Sequence, residues 1–224
     1  MSETVQLVGR SIDDDYIDLR GISVDWYQSM FCPCYDIRSG QPNFNCTTCY
    51  GTGRLYLEPK TIKTLITNVK QDKNYSIVGV WELGTCRCTP KAEINIGVLD
   101  RIIFKNLILT FSEIINRSER PELINKDLLR FYSIVNIIRV QTLTTIYTPE
   151  IDYKIIKDNN NAFIEWQTGG QKPASGQQYS IIYEHRPEWI SWDIPQVRSD
   201  SDEHQMPKFV VLRRKDLVTS KPTQ

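Results

Sequence analysis

The sequence predicts a mainly β protein, an antiparallel β-sandwich or barrel with a small four-cysteine module inserted near its start. Three observations carry this. The 224 residues contain 27 Ile and 15 Leu but only 3 Ala. Alanine and leucine are the strongest helix formers, whereas β-branched side chains fit a pleated surface. Roughly ten short apolar or alternating runs recur at steady spacing, bounded by turn residues, as in sandwiches and barrels. Four of the six cysteines fall between positions 32 and 49.

Residues 1–30 form an N-terminal arm in this reading. Positions 2–20 are polar with scattered apolar residues, suited to a short helix or an extended tail. Ile22 to Tyr27 alternates and is expected to be a strand leading into the module. Residues 31–57 are the inserted module. Residues 58–218 make the β-rich body, with 20–30 contributing to it, and 219–224 a loose tail.

Within the body, residues 61–69 alternate, and residues 75–81 follow the turn at 71–74. The two read as a hairpin, with Gly79 marking a bulge. Residues 90–96 are short and alternating. Residues 100–104 and 107–115 are apolar runs, the second assigned to a strand for its Thr, Phe and Ile content. A polar connection around Pro121 precedes the long β-rich tract 128–147. Residues 152–156 and 162–166 flank Asp158-Asn159-Asn160-Asn161, a strong hairpin turn. Residues 167–177 are loop by composition, followed by strands at 179–184, 189–194 and 209–213. Trp189 and Trp192 lie three apart, so a strand places them on opposite faces.

The module reads as a metal site. Cys32 and Cys34 form one close pair, Cys46 and Cys49 another, and a polar loop containing Ser39-Gly40-Gln41-Pro42-Asn43 joins them. Each pair puts two sulfurs on one tight turn, and folding the turns together surrounds one tetrahedral zinc ion with four thiolates. Such a closed site is structural. Gly51 and Gly53 permit positive φ and bring amide N–H groups toward the sulfurs. Cys32-Pro33-Cys34 has one intervening residue where two to four are usual, so unliganded thiol pairs or disulfides remain alternatives. Cys86 and Cys88 are a possible addition to the metal ligands, in place of one of the four or at a second weak site. The favoured reading is that they are surface thiols near a turn.

Lys plus Arg and Asp plus Glu each total 27, so net charge is zero, and no bulk attraction to nucleic acid or an anionic membrane follows. No apolar run approaches the ~18 residues of a membrane span. The first fifteen residues lack the basic and apolar regions of a signal peptide, which points to a reducing cytosol and favours metal over disulfide. The catalytic inventory is thin. His185 and His204 sit in charged surroundings and read as surface histidines, and no nucleophile elbow, phosphate loop or zincin motif occurs. The expectation is a protein that is not an enzyme and has no small-molecule substrate. The aromatic residues read as β-core filling rather than as a stacking platform for nucleic acid.

Several of these stretches together resemble a zinc-finger-bearing family of tailed-bacteriophage virion proteins, the neck or head-to-tail connector components. They are Cys32-Pro33-Cys34, Ser39-Gly40-Gln41-Pro42 and Cys46-x-x-Cys49-x-Gly51-Thr52-Gly53. Further on come Asp100-Arg101-Ile102, Tyr147 with Asp152-Tyr153, Ile164-Glu165-Trp166, Gly176-Gln177-Gln178-Tyr179-Ser180, and Tyr183 with Arg186-Pro187. The likeness runs from about Val24 to Arg213; Cys86-Arg87-Cys88 lies outside its pattern. It implies a homo-oligomeric ring, made in the bacterial host cytoplasm and built into the virion. The ring would contact the portal, other connector and tail proteins, and in passing the phage DNA. A tail or baseplate position is the nearest alternative. Cys-x-x-Cys-x-Gly-x-Gly also resembles the zinc repeats of DnaJ-type cochaperones, and a zinc-stabilised nucleic-acid-binding module is a third class.

Overall fold

The computed structural model describes residues 12–68, 84–120, 123–194 and 208–218. A helix, α1 (Ile12–Arg20), opens the described chain and closes at Gly21, whose N–H bonds Ile17 O at 2.8 Å. A Cβ at Gly21 would lie 2.4 Å from that oxygen, which is why glycine stands there. Of the two forms expected for positions 2–20, the helix is present over this span.

Six antiparallel strands close into a barrel. They are β1 (Ile22–Tyr27), β6 (Lys60–Asn68), β7 (Thr85–Pro90), β8 (Arg101–Phe104), β16 (Glu188–Asp193) and β17 (Val210–Arg214), in the order β1-β6-β7-β17-β16-β8. Closure leaves no free sheet edge. Alternate residues point inward: Val24 and Trp26, Ile62 and Ile66, Cys86 and Cys88, Ile102 and Phe104, Val210 and Leu212. Trp189 joins them, stacked on Phe104 with ring centroids 5.8 Å apart, while Trp192 is 46% exposed. The opposite-face expectation for the two tryptophans therefore holds.

Two excursions leave the barrel. Between β1 and β6 the chain makes the cysteine finger: β2 (Ser29–Phe31), β3 (Tyr35–Asp36), β4 (Gln41–Pro42) and β5 (Arg54–Tyr56). Between β8 and β16 it makes a second β body. One sheet there has the order β12-β11-β15-β9, from β9 (Leu109–Asn116), β11 (Ile134–Gln141), β12 (Ile146–Tyr147) and β15 (Gln178–His185). The other is β10-β14-β13, from β10 (Lys126–Leu128), β13 (Tyr153–Asp158) and β14 (Asn161–Trp166). Both sheets contribute to one core, with Ile115, Val140, Tyr179, Ile181 and Tyr183 meeting Tyr153, Ala162, Ile164 and Trp166. This body is a sandwich. The sequence reading of sandwich or barrel is thus met by both at once, the sandwich inserted into the barrel. The β13–β14 hairpin turns where the asparagines lie, with positive φ at Asn159 and Asn160 and Asp158 opposite Asn161.

A buried ionic knot joins barrel to sandwich. The Arg101 guanidinium, on β8, lies 4.3, 4.2 and 4.9 Å from the ring centroids of Tyr27, Tyr56 and Tyr132. It donates to Asn160 O and Oδ1 at 3.0 and 3.1 Å, gripping the sandwich hairpin. Glu188 lies 4.0 Å away and accepts from Tyr132 N, Ser133 N and Lys215 Nζ at 2.5, 2.8 and 2.9 Å. Burial pushes its carboxyl up, but Lys215 and Arg101 outweigh this and hold it down at about 2.

Several sequence expectations are corrected. Cys86 and Cys88 are not surface thiols: they are 3% and 0% exposed inside the barrel, where burial pushes both thiols up to about 12. His185 is not a surface histidine. It is buried, stacked on Phe131 at 3.8 Å, and burial lowers its affinity for a proton. Its charged sequence neighbours face outward while strand alternation turns the imidazole in. The run 90–96 is strand only at Pro90. The second half of the expected 61–81 hairpin, with Gly79, lies outside the described residues, as does His204. Among the described residues no helix is long and apolar enough to cross a membrane.

Candidate metal centre

The finger is built from short backbone-paired pieces. Strands β2 and β5 pair antiparallel, Ser29 opposite Tyr56 and Phe31 opposite Arg54. Cys32 N–H continues the ladder to Gly53 O at 2.9 Å. Pro33 then turns the chain, Tyr35 N–H bonding Cys32 O at 2.9 Å, so the first cysteine pair sits on one turn. The β3–β4 hairpin brings the chain back, and Asn43 N–H bonds Cys34 O at 3.2 Å. A second turn follows, with Tyr50 N–H on Cys46 O at 2.9 Å and positive φ at Tyr50 and Gly51. Gly53 N–H then points at Cys49 Sγ, 3.3 Å away.

These turns place the Sγ atoms of Cys32, Cys34, Cys46 and Cys49 all within 4.8 Å of one another. Cys32 and Cys46 are 3.8 Å apart, Cys34 and Cys49 3.4 Å. A tetrahedron with metal–sulfur bonds of about 2.3 Å has sulfur–sulfur edges of about 3.8 Å, so the spacing fits one ion. It is far from the ~2.05 Å of a disulfide, and all four cysteines are free. The one-residue spacer at Pro33 is no obstacle, because the β3–β4 hairpin, not the spacer, sets how the two turns face. Cys32 and Cys49 are buried; Cys34 and Cys46 are half-buried.

The sulfurs are not equivalent. Cys49 N–H, then Thr48 N–H, bond the Cys46 sulfur and hold its thiol down to about 6 despite partial burial. Loss of water, and hydrogen bonds to Cys49 and Cys32, push Cys34 up to about 12. One thiolate therefore forms readily, while the full set needs a bound cation to ionise together. Among the described residues these four are the cluster able to hold a metal ion. Cys86 and Cys88 take no part in it; Cys88 Sγ instead meets Thr64 Oγ1 at 2.9 Å in the barrel core.

The finger is wedged against both bodies. At its root Ser29 N–H bonds Asp100 Oδ1 at 2.8 Å, and Trp26 Nε1 bonds Oδ2 of the same carboxylate at 2.7 Å. Asn160 Nδ2, from the sandwich hairpin, bonds Tyr56 O at 2.8 Å. Arg120 Nη1 reaches Phe44 O at 2.8 Å. The Tyr50 ring packs edge-on against Phe163 at 4.7 Å, and its hydroxyl donates to Asp158.

Residues 113–197 match the family model of a domain of unknown function, DUF4815. This stretch takes in the second half of β9, the whole remainder of the sandwich and strand β16, and it leaves the finger outside. Comparison of the chain with curated proteins gives no match.

The sequence reading located the four clustered cysteines but none of the residues that seat the finger. Arg120 and Phe163 lie far along the chain from it and carry no local motif, and the Asp158–Asn161 turn announces its own hairpin but not its contact with the finger.

Proposed function

We propose that the chain is a structural protein of a tailed-phage particle, a ring-forming neck component joining portal to tail, whose finger holds a structural zinc ion. The observation that carries the zinc is the four-sulfur cluster, with edges near those of a zinc tetrathiolate. When bound, zinc supplies cross-linking of the two turns. The chain's own residues do the rest: backbone N–H groups of Gly53 and Cys49 orient the sulfurs, and Tyr50 and Arg120 carry the fixed finger onto the sandwich.

A mechanical role suits this architecture. A finger of this size cannot build its own core, and its contacts brace barrel and sandwich at a set angle, as a subunit under load in a ring requires. The resemblance from Val24 to Arg213 supplies the neck assignment, and zero net charge lets packaged DNA pass without strong phosphate binding.

Gold-labelled antibody against the chain, applied to particles from a lysate that expresses it, tests the assignment. Label at the head–tail junction supports the neck. Label at the distal tail moves the role to the baseplate, and unlabelled particles overturn the virion reading. Metal analysis of purified protein tests the ion, with one zinc per chain expected and iron or no metal contradicting it.

A further inference from the structure

The four-stranded sheet of the sandwich has two edges without a strand partner among the described residues. Strand β9 pairs with β15 on one side only. At the opposite edge β12 covers β11 at Val140 and Gln141 alone, so residues 134–139 of β11 lack a strand on that side. An unpaired edge is a template for another chain. Both edges here are also apolar. Leu107, Ile108, Leu109 and Ile114, along β9, are 42–66% exposed. Along the other edge Val135, Ile138 and Ile146 are 45–60% exposed and Leu143 fully so. Two bulges in β11, at Val135 and Ile138, turn these side chains out of the ladder.

The two edges match in level. Ile114 lies opposite Ser180, Ser180 opposite Gln141, and Gln141 opposite Ile146, so one row across the sheet has an isoleucine at each end. At the other end of the strands Leu109 lies level with His185 and Ile134, one residue from Val135. Strands β9 and β11 are both antiparallel to β15 and therefore run the same way. A second copy set alongside in the same orientation brings its Ile114 against Ile146, and its residues 107–109 against Val135 and Ile138. A twofold contact between two β9 edges loses this match. Centred on Ser112 it sets Ile114 against Thr110, and centred on Glu113 it pairs that carboxylate with itself. The eight apolar side chains present on the order of 800 Å² to water, and with the polar atoms between them a junction of the two edges reaches the roughly 1,200–2,000 Å² of a stable interface.

We propose that the β9 edge of one copy of this chain docks, head to tail, on the β11–β12 edge of the next. Such a contact uses two different surfaces, so it repeats from copy to copy and closes into a ring when the rotation allows. Closure as a ring rests on the neck reading given above; the junction itself does not.

Sedimentation velocity of the purified full chain, up to millimolar concentration, tests it. Ile114→Glu breaks one edge and Ile146→Glu the other, with Leu19→Glu on α1 as an equally charged control. All three side chains are exposed, so the variants fold, which their melting temperatures confirm. The wild-type chain and the control should form species larger than a monomer, and each edge variant should lose them. An equimolar mixture of the two edge variants should give dimers and nothing larger, because each supplies the edge that the other lacks. The proposal is overturned by a wild-type chain that stays monomeric, by edge variants that assemble as the control does, or by mixed variants that remain monomers. Loss in Ile114→Glu with Ile146→Glu unaffected overturns it too, since that result marks a twofold β9 contact. The neck reading fails separately, on particles that carry no antibody label at the head–tail junction.

Discussion

Removing the metal, or replacing Cys49 by serine, should unseat the finger while leaving both β bodies folded. Cys49 is fully buried and its Sγ meets both Gly53 N–H and Cys34 Sγ, so the substitution breaks the cluster at its centre. The contacts then lost can be counted. The Tyr50–Phe163 aromatic pair is worth about 1 kcal/mol. The Arg120–Phe44, Tyr50–Asp158 and Asn160–Tyr56 hydrogen bonds, mostly exposed, add roughly 1 kcal/mol each. Together they reach about 4 kcal/mol, and at ~2–4 °C per kcal/mol for a chain of this length the body should melt roughly 10 °C lower. Hydrogen exchange localises the effect. The amides of Cys32, Tyr50 and Thr52, bonded to Gly53, Cys46 and Cys49 oxygens, should lose protection, while those of the barrel pair β7–β17 keep theirs. The reasoning fails if chelation leaves the finger amides protected. It fails equally if the whole chain unfolds in one step, since the finger would then be part of the barrel's cooperative unit.

Other expectations follow from buried charge and aromatic packing. Arg101→Met should destabilise by roughly 3–5 kcal/mol in urea titration, because Asn160 loses its donor and Glu188 one of its two cations; Arg101→Lys should restore little, lacking the planar group that the three tyrosines enclose. Asp127→Ala should cost a comparable amount, since Trp166 Nε1, Tyr179 OH and Ser118 N–H all donate to that carboxylate, and Asp127→Asn should recover part of it. Alkaline pH should unfold the protein. Burial, then Glu113 for Tyr183 and Asp127 for Tyr179, raise these phenols well above the ordinary 10, so their stabilisation is complete below pH 10 and is lost as pH climbs beyond it. Two such groups give a slope of about 3 kcal/mol per pH unit, and tyrosinate absorbance should rise together with loss of far-ultraviolet structure, not before it.

Local chemistry explains which features were legible in the sequence. Paired cysteines with glycines after them declare a metal-binding turn, because ligand spacing and backbone freedom are properties of adjacent residues. Isoleucine-rich alternation declares strands for the same reason, and Asn159-Asn160 declares its hairpin. Where periodicity met no turn signal the reading lost definition, as in 128–147, which holds the end of one strand and two others. Cys86 and Cys88 alternate with Arg87, a pattern equally fit for a surface turn or an inward barrel face; only closure of the barrel decides that the sulfurs face in. His185 is similar, since its charged neighbours say nothing of the Phe111, Phe131 and Tyr183 rings around it.

By itself, then, the sequence determined the β class and the finger with its four clustered cysteines, features that depend on residues close together in the chain. Tertiary structure decided that the body is a barrel with a sandwich inserted, because strand partners are chosen by closure and core packing across long separations. It also decided the wedge of the finger and the Arg101 cage. Each joins residues about fifty or more positions apart, and no local pattern encodes a meeting that only the packed chain brings about.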